Sequence, residues 1–188
     1  IMTLFRRIGD LLLAPSSTWR RIAEETTAVR TLYTAYLAPL AGIAAIASWI
    51  GLSLVGYSVD GQRIQLAPLA GLTNALAGFA LTLLSIDLLA RFANRLAPNF
   101  GGQPDRGASL RLIAYSSTPA VLGGIFSVIP QWAGLALIPT LYAAFILARG
   151  IPLLMRSNPE RNLSYTTILL IGALALGTIN GALLAALR

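Results

Sequence analysis

Cysteine, histidine and lysine are all missing from this chain. Without Cys and His there can be no disulfide, thiolate nucleophile or imidazole base, and no zinc or haem centre built on those ligands. Without Lys, Schiff-base and Ser-Lys mechanisms are excluded as well. Charge is also scarce, at 11% of 188 residues, where a soluble domain carries about a quarter. Only one of the seven acidic residues, Asp87, lies inside an apolar run. With most bases and nucleophiles gone, the inventory argues against an enzyme, and neither a metal nor a cofactor is expected.

What the chain has instead is hydrocarbon. Hydrophobic residues make up 56% of it, the mean hydropathy is +0.71, and the apolar residues come in long blocks, as bilayer solvent requires. Charge-free runs cover residues 31–59, 64–86, 112–148 and 162–187. The third run is 37 residues long, about 55 Å as one helix against a hydrocarbon core of about 30 Å. It therefore divides into two spans, with Pro130-Gln131-Trp132 as the turn and Trp132 as an interfacial anchor. The expected fold is all-α, a five-span helix bundle with spans near 32–55, 67–90, 110–129, 133–155 and 164–187. Asp60-Gly61-Gln62-Arg63 forms a polar turn between the first two.

All 14 basic residues are Arg, and the formal charge is +7. Such a balance could suggest nucleic acid, but in a membrane protein the cations set topology, so no nucleic-acid partner is expected. With five spans and a cytoplasmic N-terminus, twelve arginines fall inside, leaving Arg63 and Arg188 outside. Merging residues 112–148 into one span gives ten against four, so charge bias and length both favour five spans. The C-terminus is then periplasmic or extracellular. The opening Met2-Thr-Leu-Phe-Arg-Arg is too weakly apolar for a cleaved signal peptide, and Ile1 ahead of it reads as an expression remnant.

Residues 1–30 read as an amphipathic cytoplasmic or interfacial segment ahead of a membrane domain over 31–188. Two short amphipathic helices flank Pro15-Ser16-Ser17-Thr18, with Ser16 or Ser17 as cap of the second. Trp19, Arg20 and Arg21 suit the headgroup layer, although packing on the protein's own cytosolic face would use the same pattern. The lipid bilayer is the expected partner, with a protein partner at the cytoplasmic face open.

Candidate site residues follow from polarity inside the spans. Asp87, Arg91 and Arg95 share a helical face, and Arg149 lies at matching depth on a helix running the same way. An Asp87–Arg149 ion pair with Arg91 one turn away is expected, either as a structural pair or as a proton- or ion-coupled site. Asn74 and Asn180 need partners in hydrocarbon, either each other or a nearby carbonyl, or they line a polar cavity. Pro39, Pro119 and Pro139 lie deep in spans and would free the carbonyls of Ala35, Tyr115 and Leu135. Gly101-Gly102 reads as part of a flexible connection. Gly177 and Gly181 form a GxxxG pair that packs within the bundle or seats a second copy in a homo-oligomer.

The order of these pieces resembles the Yip family, the Ypt/Rab-interacting proteins, and in particular their bacterial inner-membrane branch. The residues that carry the likeness are Pro15, Trp19 and Ile22, then Tyr36-Leu-Ala-Pro39-Leu and Gly101-Gly102 before Arg111-Leu-Ile-Ala-Tyr115. Ser116-Ser117-Thr118-Pro119 and Ile129-Pro130 follow. The resemblance implies a cytosolic N-terminus and five spans, and marks Tyr115 to Pro119 as its most specific part. Eukaryotic members are linked to Rab GTPases, but this chain has no long acidic or Pro-rich N-terminal region, so that partner does not carry over. The functional expectation is a membrane-organising or partner-binding scaffold. The alternative is a small transporter or channel for an ion, solute or lipid, using Asp87 and the kinked spans.

Overall fold

The computed structural model describes residues 4–25, 27–59 and 62–187. The Asp60-Gly61 half of the expected turn, Met2 and Arg188 lie outside the described residues. Two short helices, α1 (Leu4–Leu13) and α2 (Pro15–Glu24), precede the bundle. Pro15 opens α2, where its missing N–H is harmless. The N-cap is Ala14 and not Ser16 or Ser17; the Ser17 hydroxyl instead donates back to Ala14 O at 3.1 Å.

A continuous helical run, Val29–Val55, contains α3 (Val29–Leu32) and α4 (Ala38–Trp49), with π-helical turns at Tyr33–Leu37 and Ile50–Val55. Pro39 explains the first of these turns. A proline ring clashes with the carbonyl four residues back, and the chain relieves this by widening the turn, so that Ala38 N–H reaches Tyr33 O, five residues away. The run stops at Gly56, whose φ of 74° favours glycine. An antiparallel hairpin follows, β1 (Tyr57–Val59) and β2 (Gln62–Ile64). Then come α5 (Pro68–Leu96), α6 (Arg106–Ser116), α7 (Thr118–Gly123), α8 (Leu137–Leu154) and α9 (Asn162–Ala186).

Among the described residues four stretches are long and apolar enough to cross a membrane: Val29–Val55, Pro68–Phe100, Pro130–Leu154 and Pro159–Ala186. The stretch expected as the third span, near 110–129, is not one helix. It breaks at Ser117 between α6 and α7 and continues as a 3-10 turn, Gly124–Val128. Pro119 accounts for the break, because it has no N–H to donate to Tyr115 O and its ring would clash there, so α6 cannot continue through it, whereas the first turn of α7 tolerates it. Beyond the break the chain lies hard against the Val29–Val55 run. A Cβ added at Gly51 would stand 1.8 Å from Ser127 O, and one at Gly124 2.8 Å from the Ala44 Cβ. Pro139 does not free a carbonyl in mid-span, since α8 begins at Leu137 and the proline sits in its first turn. Pro152 does interrupt α8, and the Asn162 amide donates to Ala148 O, the carbonyl that the proline leaves free, at 3.2 Å.

Residues 97–105 form an ordered connection, not a flexible one. Gln103 N–H donates to Met155 O at 2.9 Å, and Asn158 N–H to Phe100 O at 3.1 Å. The glycine pair is there for close approach, because a Cβ on Gly102 would lie 2.7 Å from Met155 O.

One buried core joins the N-terminal helices to the bundle. Leu11, Trp19 and Ile22 are fully buried and belong to the same cluster as Tyr36, Leu112, Tyr115, Ile146 and Ile151. Trp19 is therefore not an interfacial anchor. Its indole packs where Gly150 has no side chain and donates to Ile146 O at 3.0 Å. The outer faces are apolar, with Ile46, Leu76, Leu141 and Leu174 at least 60% exposed, as lipid contact requires.

Truncation at the indole is expected to destabilise the whole bundle. Trp19→Ala should lower stability by about 3–5 kcal/mol, read as a fall in melting temperature in mild detergent. Arg20→Ala, on the exposed face of the same helix, should leave it within about 0.5 kcal/mol.

Candidate functional site

Asp87 is the natural starting point, and α5 positions it with α4 and α6 as neighbours. Arg91, one turn on, places its Nε 2.6 Å from Asp87 Oδ2. The Tyr33 hydroxyl donates to Asp87 Oδ1 at 3.1 Å. The group sits at a cavity of about 350 Å³ lined by Val29, Asp87, Ala90, Arg91, Arg106 and Leu110. Arg149 does not reach it: its guanidinium donates to Ser16 Oγ at 3.2 Å and lies 4.9 Å over the Phe145 ring. The pairing was expected from depth alone, but α8 packs on α2, α6, α7 and α9, not beside this face of α5. Tyr33 is the partner that sequence reasoning missed. Its position 54 residues away, within the π-helical turn, leaves no periodic signal.

Asn74 and Asn180 do not bond each other. Asn74 is 2% exposed and donates to Leu184 O at 2.7 Å, while Asn180 donates to Ser85 Oγ at 2.9 Å. Both line a second cavity, of about 170 Å³, whose walls are mostly small residues, among them Ala41, Ala44, Ala45, Ser48 and Gly78. The two cavities are separated along the helices by Leu37, Leu40 and Ile86, which are apolar and buried at 5% exposure or less.

The Tyr115 to Pro119 stretch is the buried joint between α6 and α7. Tyr115 packs edge-on to Trp19 and Tyr36, with ring centroids 6.5 and 4.8 Å away, and the Arg7 guanidinium lies 5.4 Å over its ring. Arg7 also pairs with Glu25 at 2.5 Å. Ser116 and Ser117 donate to Ile113 O and Ala114 O, at 3.2 and 3.1 Å. Thr118 reaches Ala114 O and shares a 2.6 Å bond with the Tyr36 hydroxyl. Side-chain hydroxyls thus bond the backbone around the break, and Pro119 is buried at the start of α7.

Five further residues fall on the surface. Arg20 and Trp132 are exposed, and Arg21 pairs with Asp10 at 3.3 Å. Gly177 and Gly181 lie on an open face of α9, where a Cβ would meet nothing within 4 Å. The structure therefore does not use this glycine pair to pack α9 into the bundle.

Apolar outer faces and, among the described residues, four helices long and apolar enough to span define an α-helical membrane protein. The Yip1 domain model matches residues 9–180, and the chain belongs to that family. Two curated relatives, each called "Inner membrane protein YohC", come from Escherichia coli K12 and from Escherichia coli O6:H1 strain CFT073. Each is 27% identical over 174 residues, covering 90% of this chain and 89% of the relative. No solved structure gives a significant match.

A double-mutant cycle tests the geometry at Asp87. Asp87→Asn with Arg91→Gln should be non-additive, with a coupling of up to about 1 kcal/mol given the exposure of the pair. Asp87→Asn with Arg149→Leu should be additive within about 0.5 kcal/mol, with no rescue. Chemical or thermal unfolding in detergent provides the readout.

Proposed function

We propose that this chain is a non-enzymatic, multi-pass protein of the bacterial inner membrane that organises or binds partner proteins as a scaffold. The carrying observation is that the cavity at Asp87 and the cavity at Asn74 and Asn180 are lined by different stretches of α5, residues 87–91 and 74–82, with the buried apolar Leu37, Leu40 and Ile86 at the chain positions between them. A conduction or transport path needs polar groups that converge on an accessible route, often at broken helices near the midplane. Here the intramembrane acid is engaged by Arg91 and Tyr33, and each asparagine amide donates to a partner on another helix. The name of the relatives, inner membrane protein, supports the location.

The broken stretch Arg106–Val128 is the third of five spans in this reading. Contacts support it: Gly124 and Ser127 meet the far end of the Val29–Val55 run, while Arg106 lines the Asp87 cavity at the opposite end. The break is buried in protein, where Ser116, Ser117 and Thr118 donate to the neighbouring carbonyls Ile113 O and Ala114 O, a setting in which non-helical backbone is tolerated. The arginine bias places the N-terminus in the cytoplasm and the C-terminus across the membrane. Exposed arginines at the cytoplasmic end, Arg20, Arg30, Arg95 and Arg106, offer the partner surface. A second copy could seat on the open Gly177 and Gly181 face.

Two experiments test this. In proteoliposomes with an imposed proton or potassium gradient, flux should equal that of empty vesicles and be unchanged by Asp87→Asn. A protein-dependent flux that Asp87→Asn abolishes would establish the transport reading instead. Alkaline phosphatase fused after residue 188 should be active and a fluorescent-protein fusion there dark, because an odd number of spans exports the C-terminus; the reverse would establish an even number.

A further inference from the structure

The two loops that staple the bundle end together also build a cavity, of about 470 Å³, outside the site described above. Its walls are Ala23 at the end of α2, Gln103, Pro104 and Asp105 of the connection, Ala108 and Arg111 of α6, and Leu153, Leu154 and Arg156. Its construction is specific. Gln103 N–H is fixed to Met155 O, and the Arg156 guanidinium then donates to Gln103 Oε1 at 3.1 Å. Arg156 holds that position with a φ of 50°, a left-handed conformation that a branched or long side chain adopts at a cost of about 1–3 kcal/mol.

Charge is unbalanced here. Arg111 is half-buried, its Nε is shut off from solvent without a partner, and among the described residues it makes no hydrogen bond or ion pair. Asp105 lies on the same wall, but its Oδ1 accepts the Gly107 and Ala108 amides at 2.8 and 3.0 Å and pairs with neither arginine. Every ion pair elsewhere in the described structure uses an available carboxylate: Arg7 with Glu25, Arg21 with Asp10, Arg91 with Asp87. A half-buried guanidinium without a counter-ion is costly, and a fork of N–H donors beside a second arginine matches a tetrahedral oxyanion.

We infer that this cavity binds a phosphate group, held by Arg111 and Arg156 with Gln103 fixing the second arginine. The exposed Leu153 and the buried Leu154 put an apolar wall beside the two guanidiniums. That combination suits the phosphate of an anionic phospholipid whose chains run down the outside of α8, and a free phosphate compound shares the recognising chemistry. This is a binding site beyond the scaffold reading and independent of it.

The absence of lysine makes arginine-selective labelling a clean probe. The full chain in a phosphate-free maltoside detergent is treated with phenylglyoxal, alone, with phosphatidylglycerol added, and with inorganic phosphate added, and modification is mapped by peptide mass spectrometry. Arg111 and Arg156 should be protected several-fold by an additive, with Arg63 of the hairpin unprotected as control. Protection by phosphatidylglycerol alone assigns the lipid as source, and protection by inorganic phosphate assigns a soluble ligand. Equal labelling of Arg111 and Arg156 in all three conditions overturns the inference. Native mass spectrometry of Arg111→Gln and Arg156→Gln gives a second readout: retention of the protecting additive should fall about tenfold or more, while Arg111→Lys keeps part of it. Retention unchanged in both Gln variants overturns the site. Wild-type labelling decides the question where a variant does not fold.

Discussion

The contact between the Trp19 indole and the backbone of α8 at Gly150 connects more of the structure than any other. A Cβ at Gly150 would come within 2.7 Å of the ring, so the close approach exists only because position 150 is glycine. Once seated, the indole reaches Ile146 O, its face meets the edge of Tyr115, and Tyr115 in turn meets Tyr36, whose hydroxyl is bound to Thr118 at the start of α7. One line of side chains thus fixes the N-terminal helices, the first long helix, the break between α6 and α7, and α8 relative to one another. A polar helix pair at a membrane surface has two competing places for its apolar stripe. Here the protein offers a fully desolvated hydrogen bond and a ring-sized notch, which a headgroup layer cannot.

The all-helical membrane class and the family were legible in the chain, because they depend on local apolar run length and on a few specific residues. Neighbour choice was not. Arg149 was expected at the depth of Asp87, yet depth along an axis says nothing about which helices adjoin, and α5 borders α4, α6 and α9. Trp19 shows the same limit from another side, since amphipathic spacing is identical whether the apolar stripe meets lipid or protein. Gly101-Gly102 was read as flexibility because glycine permits it; the actual requirement, room for Met155 O, comes from a segment more than 50 residues downstream. The break in the stretch expected as a span near 110–129 was hidden for a different reason. Hydropathy counts apolar residues without regard to whether one helix carries them, and Pro119 divides this stretch into pieces too short to qualify alone.

Prolines divide accordingly into those that shape the bundle and those that do not. Pro68 and Pro139 sit in first turns, where no bond is lost. Pro39 is absorbed by widening one turn, Pro152 by the amide of Asn162, and Pro119 by ending a helix among hydroxyl-bearing neighbours. Each response keeps backbone polar groups paired, which is the condition for non-helical backbone at membrane depth.

The same condition explains how the helices find their neighbours. In a bilayer, apolar packing scarcely distinguishes protein from lipid, so selectivity falls to close approaches at small residues and to hydrogen bonds between helices. Among the bonds that join segments distant in sequence are these five: Tyr33 to Asp87, Tyr36 to Thr118, Asn74 to Leu184, Asn180 to Ser85, and Tyr165 to Ala93. At about 0.6 kcal/mol each they supply about 3 kcal/mol, a sizeable part of a total stability of about 5–15 kcal/mol. Reversing any of them would leave a polar group in hydrocarbon, so they discriminate against wrong neighbours more strongly than they stabilise the right ones. Asp87, Asn74 and Asn180, the residues that first suggested a mechanism, are accounted for as members of this set. Arg111 is not: it is half-buried, it cross-links nothing, and its charge is answered by no carboxylate. Other buried polar atoms also lack a partner, Ser53 Oγ and Ser157 Oγ among them, but Arg111 carries a full charge, makes no ion pair among the described residues and faces a cavity, which is why the inferred site draws its partner from outside the chain.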